Sequence, residues 1–437
     1  MYIAGIVIVA VGVLLSILLH ETGHFIPAKL FKVRVGQFMV GFGKTLWSKK
    51  FGETEFGVKA LPLGGYISMA GMYPPITPGG KARTASTGFF QTLVQDARTA
   101  SADTILPGHE ERVFYKLAVW KRIIIMLGGP LMNLVIAIVL YAVVLCGFGA
   151  GVATTTVASV SQCVLPATST ATTCPPGAAK SPAAEAGFKP GDVMVSLNGV
   201  AVTSWEQETS IIQKSVGTPL TAVVRRAGQD VTLTATPQLS QRYEFDQLGQ
   251  PVKDWSGNPV SHDVGFLGIG PTTAIQQLPV SAVLPTVWSN TTGVARVILN
   301  LPQRLVGVWN AAFGSEQRDP NGPIGLVGVG RIAGQIATTH QLTLTDRFSA
   351  LLQLLASLNV ALFVFNLVPL MPLDGGHIVG ALWEGIRRAF AKLFRRRDPG
   401  PVDTAKIVPL TFAVVVVLGA MSLLLLYADI VKPITLN

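Results

Sequence analysis

Four apolar runs, residues 2–24, 123–149, 348–370 and 407–427, interrupt an otherwise mixed chain. Each reaches the ~20 residues a helix needs to cross a bilayer, so each predicts a membrane span. Between the second and third runs the pattern changes. Residues 181–199 predict a short helix stopped by Gly187, a Pro190-Gly191 turn, and an alternating strand closed by Asn198-Gly199. Residues 205–216 predict a second helix, and 220–225 with 230–235 predict paired strands about Gly228. Residues 239–262 are polar and predict an insertion; 266–270 predict a returning strand. Residues 33–72 predict strands whose glycines allow bends or close backbone approach. Residues 281–313 are apolar but broken by Pro285 and Pro302, and they include Asn300 and Arg304. They predict an interfacial amphipathic helix rather than a fifth span. Residues 83–111 are polar and predict a flexible insert.

Composition strengthens the membrane reading. Of 437 residues, 49% are hydrophobic and 13% charged, against about 25% charged in soluble domains. Mean hydropathy is +0.48 and the pI about 9.6. A net charge of +10 in a soluble protein would raise nucleic acid as a partner. Here Lys and Arg gather in particular loops: Lys29 to Lys50 after the first run, Arg112 to Arg122 before the second, and Arg387 to Arg397 between the third and fourth. Such loops are cytoplasmic, so no nucleic acid partner is expected. Both termini and residues 150–346 then lie outside, in a multi-pass protein of the cell membrane. The first run has no basic leader and no small-residue cleavage site, so it does not resemble a signal peptide. In the outer segment Cys163 and Cys174 are close enough in sequence to close a short disulfide loop, or they are two free thiols. Cys146, in the second run, is a small packing residue.

The chemistry lies at the end of the first run, in His20-Glu21-Thr22-Gly23-His24. Residues four apart share a helix face, so His20 and His24 can hold one metal ion, and the spacing is that of a zinc hydrolase. Glu21 is turned about 100° from that face and is read as the general base rather than a ligand. A chance match or a satisfied histidine pair are the alternatives, but ionisable groups at membrane depth are costly unless they do something. A third ligand should arrive at the same depth. Asp374 follows the third run among Pro369, Pro372, Gly375 and Gly376, which break the helix there. It is read as that ligand, the alternative being a helix N-cap. His377 suits a metal by residue type but is left out, because three ligands leave the fourth zinc position open.

The pairing of His20-Glu21-x-x-His24 with Leu373-Asp374-Gly375 resembles the site-2 protease family of intramembrane zinc metalloproteases, and the resemblance covers almost the whole chain. Gly128-Gly129-Pro130-Leu131-Met132-Asn133 resembles its G-P-x-x-N element, residues 58–66 its membrane-associated β-loop, and Gly322-Pro323-Ile324-Gly325 its G-P-I segment. Residues 181–199 resemble a bacterial PDZ core, and the arrangement is most similar to the actinobacterial form with one PDZ domain. The resemblance implies a polytopic α-helical membrane protein with four spans, a membrane-associated β-loop and an extracytoplasmic α+β PDZ domain. It divides the chain into 1–150 (first span pair, β-loop, insert), 151–275 (PDZ), 276–345 (interfacial helix) and 346–437 (second span pair). It implies a Zn²⁺ endopeptidase that cleaves transmembrane segments of single-span proteins such as anti-sigma factors, pre-trimmed by another protease. Glu21 is then catalytic, and His20, His24 and Asp374 bind the metal. Asn133 and Asn366 hold substrate backbone or the oxyanion, or else tie helices together. Two other classes stay open: a non-proteolytic PDZ scaffold, which leaves Glu21 unexplained, and a metal transporter, which would favour internal repeats and further polar span positions.

Overall fold

The first apolar run folds as α1 (Tyr2–Leu30) and leads into a long hairpin of β1 (Val35–Phe51) and β2 (Thr54–Met69). The computed structural model describes residues 1–74, 89–165, 174–244, 258–316 and 322–434, together with 252, 254, 318 and 319. It divides into two units, Met1–Val143 with Val283–Asn437, and Val144–Ala282.

In the first unit α2 (Phe89–Asp103) and α3 (Val119–Ala142) follow the hairpin. After the second unit come α6 (Val283–Leu299), α7 (Leu301–Phe313), α8 (Leu326–Thr338), α9 (Leu344–Asn366), α10 (Asp374–Leu393) and α11 (Val408–Val431). Among the described residues four helices are long and apolar enough to cross a membrane: Tyr2–Leu30, Val119–Phe148, Leu344–Asn366 and Thr404–Val431. Helix α1 packs on α3, α8 and α9. Polar side chains knit this bundle. Asn359 of α9 donates to Ser16 of α1 at 3.0 Å, and Tyr141 of α3 meets Ser357 of α9 at 2.9 Å, with Asn290 of α6 donating to the same tyrosine at 2.9 Å. In an apolar surround such bonds set which helix faces meet.

The hairpin is folded rather than flat. Met39 is in register with both Tyr66 and Gly57, and Val40 with both Gly65 and Val58. Its turn is tied down: Glu53 takes two 2.8 Å bonds from Arg112 and one of 2.6 Å from Lys29, beside the end of α1. Arg112, with Lys29, holds the Glu53 carboxyl down to about 2.

The structure changes several expectations. Residues 89–103 of the polar insert form α2; 83–88 lie outside the described residues. Arg98 of α2 pairs with Asp403, a tertiary partner invisible in the local pattern. Residues 281–313 are two helices, broken at Asn300, and α8 is a third helix within the 276–345 stretch. The third span ends at Asn366, four residues before its apolar run, because Pro369 and Pro372 cannot continue it.

In the second unit β3 (Ala150–Val160), α4 (Pro182–Ala186), β4 (Val193–Leu197), β5 (Val200–Ala201), α5 (Trp205–Lys214), β6 (Leu220–Arg226), β7 (Gln229–Ala235), β8 (Gln238–Tyr243), β9 (Ser261–Phe266) and β10 (Ile269–Gln276) follow in turn. One sheet runs β10-β3-β4-β6-β7, with β5 beside β4, and β8 pairs with β9. Asn198-Gly199 (φ 50°, 78°) and Ala227-Gly228 (φ 50°, 85°) close the β4–β5 and β6–β7 hairpins in the left-handed region that tight hairpins need. Met194, Leu197, Leu220, Val224, Ile212 and Phe188 form the core. Asp192 accepts two bonds from Arg226, at 2.7 and 2.8 Å, and the guanidinium lowers its pKa. Cys163 and Cys174 are joined in a disulfide, and Cys146 is free. Part of the polar stretch expected as an insertion supplies β8 and the start of β9; residues 245–251, 253 and 255–257 lie outside the described residues.

Candidate metal centre

His20 and His24 stand one turn apart on α1, with their Nε2 atoms 3.2 Å from each other. Asp374 Oδ2 lies 3.4 Å from each of those nitrogens. One ligand atom from each of the three residues falls within 4.8 Å of the others. Asp374 is the first residue of α10; the cap position belongs to Leu373, so the carboxylate is not spent on the helix end. His377, one turn further on, does not join the cluster.

Whether these residues fit a metal is tested by their neighbours. His24 Nδ1 lies 2.7 Å from the carbonyl of Ile125 on α3. A carbonyl only accepts, so Nδ1 carries the proton and Nε2 keeps its lone pair for an ion. Asp374 Oδ2 is buried without a hydrogen-bond donor, an orphan that a cation would satisfy. Two histidines and one carboxylate are a catalytic zinc donor set with a position left open. The residues fit.

Glycines make room. A Cβ on Gly129 of α3 would sit 2.2 Å from His24 Nε2 and 2.7 Å from His20 Nε2, inside the ligand cluster. A Cβ on Gly23 would sit 2.2 Å from the Gly128 carbonyl oxygen. Close backbone approach of this kind is how small residues bring apolar helices together. Asn133, one turn beyond Gly129, is fully buried; its amide nitrogen lies 3.1 Å from His20 Nδ1 and its Oδ1 has no partner. That contact puts it behind the ligand. Asn366 ends α9 half-buried and bonds none of the three ligands.

Glu21 is 9% exposed and stands outside the ligand cluster. Gly65 of β2 covers it: a Cβ there would meet Glu21 Cγ at 2.9 Å. The hairpin backbone thus reaches the carboxylate directly. Gly65 is one of the 33–72 glycines expected to allow close backbone approach, and it makes one here; Gly128 and Gly129 stand out only as parts of a motif, and nothing in the local pattern marks the Ile125 carbonyl.

A helix-borne His-Glu-x-x-His, completed by a distant carboxylate among apolar helices, defines a membrane-embedded zinc metalloprotease. The comparisons agree. The model of Peptidase family M50 matches residues 8–396. The chain is 33% identical over 442 residues to "Zinc metalloprotease Rip1" of Mycobacterium tuberculosis (strain Erdman), covering 100% of this chain and 99% of that one. It is 30% identical over 452 residues to the protein of the same name in Mycolicibacterium smegmatis, with 100% and 99% covered. "Metalloprotease MmpA" of Caulobacter vibrioides is 28% identical over 384 residues, with 84% and 83% covered. The chain belongs to Peptidase family M50, the site-2 proteases, and its cofactor is Zn²⁺.

Proposed function

We propose that His20, His24 and Asp374 hold the zinc and that Glu21 is the catalytic base for hydrolysis of a peptide bond in a substrate's transmembrane segment. When bound, zinc supplies Lewis acidity toward the scissile carbonyl and the attacking water. Glu21 takes the proton of that water and returns it to the leaving amine. Its burial beneath Gly65 holds it in one place and keeps bulk water from it. Asn133 positions His20: with Nε2 given to the metal, Nδ1 keeps its proton, and the Asn133 amide, turned over so that its unpartnered oxygen takes the place of the nitrogen now 3.1 Å from Nδ1, accepts it. Asn366 engages substrate backbone at the end of α9.

A transmembrane helix must unwind before it can be cut, because its backbone groups are already bonded to each other. The 64–69 stretch of β2, which passes over Glu21 at Gly65, offers a strand to which the unwound chain can pair. The substrates are single-span membrane proteins such as anti-sigma factors, trimmed beforehand by another protease. Basic loops put the zinc toward the cytoplasmic side and the second unit outside. That unit is a PDZ domain, and β10, at the end of its sheet, accepts an extended peptide or helps exclude bulky ectodomains.

The observation that carries this reading is Asp374 Oδ2 at 3.4 Å from both imidazoles, with Glu21 held outside the ligand set. The test is cleavage of a single-span substrate by the purified, zinc-loaded protein and its Glu21→Gln variant. Retained zinc with cleavage abolished is the expected result; cleavage by the variant overturns the assignment of the base.

A further inference from the structure

Helix α10 carries Asp374 at its first position, but most of its length serves no ligand. One side is built in. Ala381 is buried, and Glu384, fully buried, pairs with Arg122 of α3 and with Arg388 while accepting the N–H of Val402. The opposite side is apolar and open. Val379, Leu382, Trp383, Ile386, Phe390 and Phe394 recur at helical spacing and are 47–62% exposed. The helix follows the span that ends at Asn366 and leads to the one that starts at Thr404, so both its ends belong to the same face of the membrane. An apolar stripe so placed suits a lipid surface.

The end of the helix adds charge in a specific place. Arg395 takes a left-handed φ of 52°, and Arg396 N–H bonds back to the Ala391 carbonyl at 2.7 Å. This reversal brings Arg396 and Arg397 beside Arg387, around a groove of about 500 Å³ walled by Trp383, Phe390 and Phe394. Arg388 is spent on Glu384 and Asp398. Among the described residues no carboxylate pairs with Arg387, Arg396 or Arg397. An uncompensated guanidinium rim over an aromatic wall complements one kind of molecule: an amphiphile with a phosphate at the head and hydrocarbon below it.

We propose that this groove seats the anionic headgroup and upper acyl chain of a phospholipid in the leaflet against which α10 lies. The lipid fastens the far end of the helix whose first residue is Asp374.

The experiment uses the full-length protein in neutral detergent, titrated with phosphatidylglycerol, phosphatidylcholine or inorganic phosphate. Thermal unfolding and lipid retained in native mass spectra are the readouts. Phosphatidylglycerol is expected to raise Tm and to remain bound, while phosphatidylcholine and phosphate do neither. The combined Arg387→Gln, Arg396→Gln, Arg397→Gln variant is expected to lose the shift and to weaken retention by roughly tenfold or more. Should the triple variant not fold, Arg397→Gln alone, at an exposed position, is expected to weaken retention measurably. Equal shifts with phosphatidylcholine, an equal shift with phosphate alone, or unaltered phosphatidylglycerol retention in the variant that folds would each overturn the proposal.

Discussion

Gly23 of α1 and Gly128 of α3 touch through their backbones: a Cβ on Gly128 would lie 1.9 Å from the Gly23 carbonyl oxygen. One position further along each helix come His24 and Gly129, so this contact sets how far the ligands stand from α3. Gly128→Ala must push the helices apart, and the Ile125 carbonyl then leaves His24. The expected outcome is loss of zinc and of cleavage with the protein still inserted, read by metal analysis and a substrate assay. Full zinc content in this variant would show that the crossing does not hold the site.

Asp374→Asn keeps the shape of the side chain but removes the charge facing two imidazoles. Zinc content after dialysis against a mild chelator should fall well below that of the wild type, and cleavage should fall with it. Unchanged metal retention would remove Asp374 from the ligand set.

Asn133→Leu fills similar volume without an acceptor for His20. Loss of a group that orients a metal-bound histidine costs about 10–100-fold in affinity. A zinc titration against a competing chelator measures this. A normal zinc affinity with impaired cleavage would instead return Asn133 to the substrate side.

Glu208 of α5 is fully buried with neither carboxylate oxygen bonded, and burial raises its pKa from 4.5 to about 8. Below the ordinary value the group is neutral in folded and unfolded chains alike. Above it the unfolded chain ionises first, so the second unit loses stability from pH 4.5 up to about 8 and little further beyond. The loss is on the order of a few kcal/mol. The hydrogen-exchange protection of the β6–β7 strands in the full-length protein, taken relative to the intrinsic amide rate at each pH, should fall across that window. Glu208→Gln should flatten the dependence.

Asp429 of α11 is buried against Arg318 at 2.7 Å and accepts the N–H groups of Gly325 and Gly328 at the start of α8, at 2.9 and 2.7 Å. It caps another helix while neutralising a buried cation. Asp429→Leu strands that cation at a cost of about 3–5 kcal/mol. A lowered Tm with limited proteolysis near residues 314–325 is the expected result. A double variant that also removes Arg318 should recover part of the loss.

The four spans were legible because bilayer thickness demands long uninterrupted apolar runs, and no tertiary contact is needed to see them. The hairpins at Asn198-Gly199 and Gly228 were legible for a local reason too, the left-handed backbone that their turns require. Helix α2 was not legible, since a polar stretch such as residues 89–103 shows its helix only with partners such as Asp403 in place. The tenancy of α8 is likewise hidden, because the carboxylate at its N-terminus comes from α11.

By itself the sequence determined the donor types and the spacing that puts His20 and His24 on one helix face, since helical geometry fixes what lies four residues away. Only the tertiary structure decided that Asp374 meets them, that Ile125 sets the proton on His24, and that Gly65 lays the hairpin over Glu21. Those relations depend on how closely helices and strands far apart in the chain can approach, and that distance is set by packing rather than by local pattern.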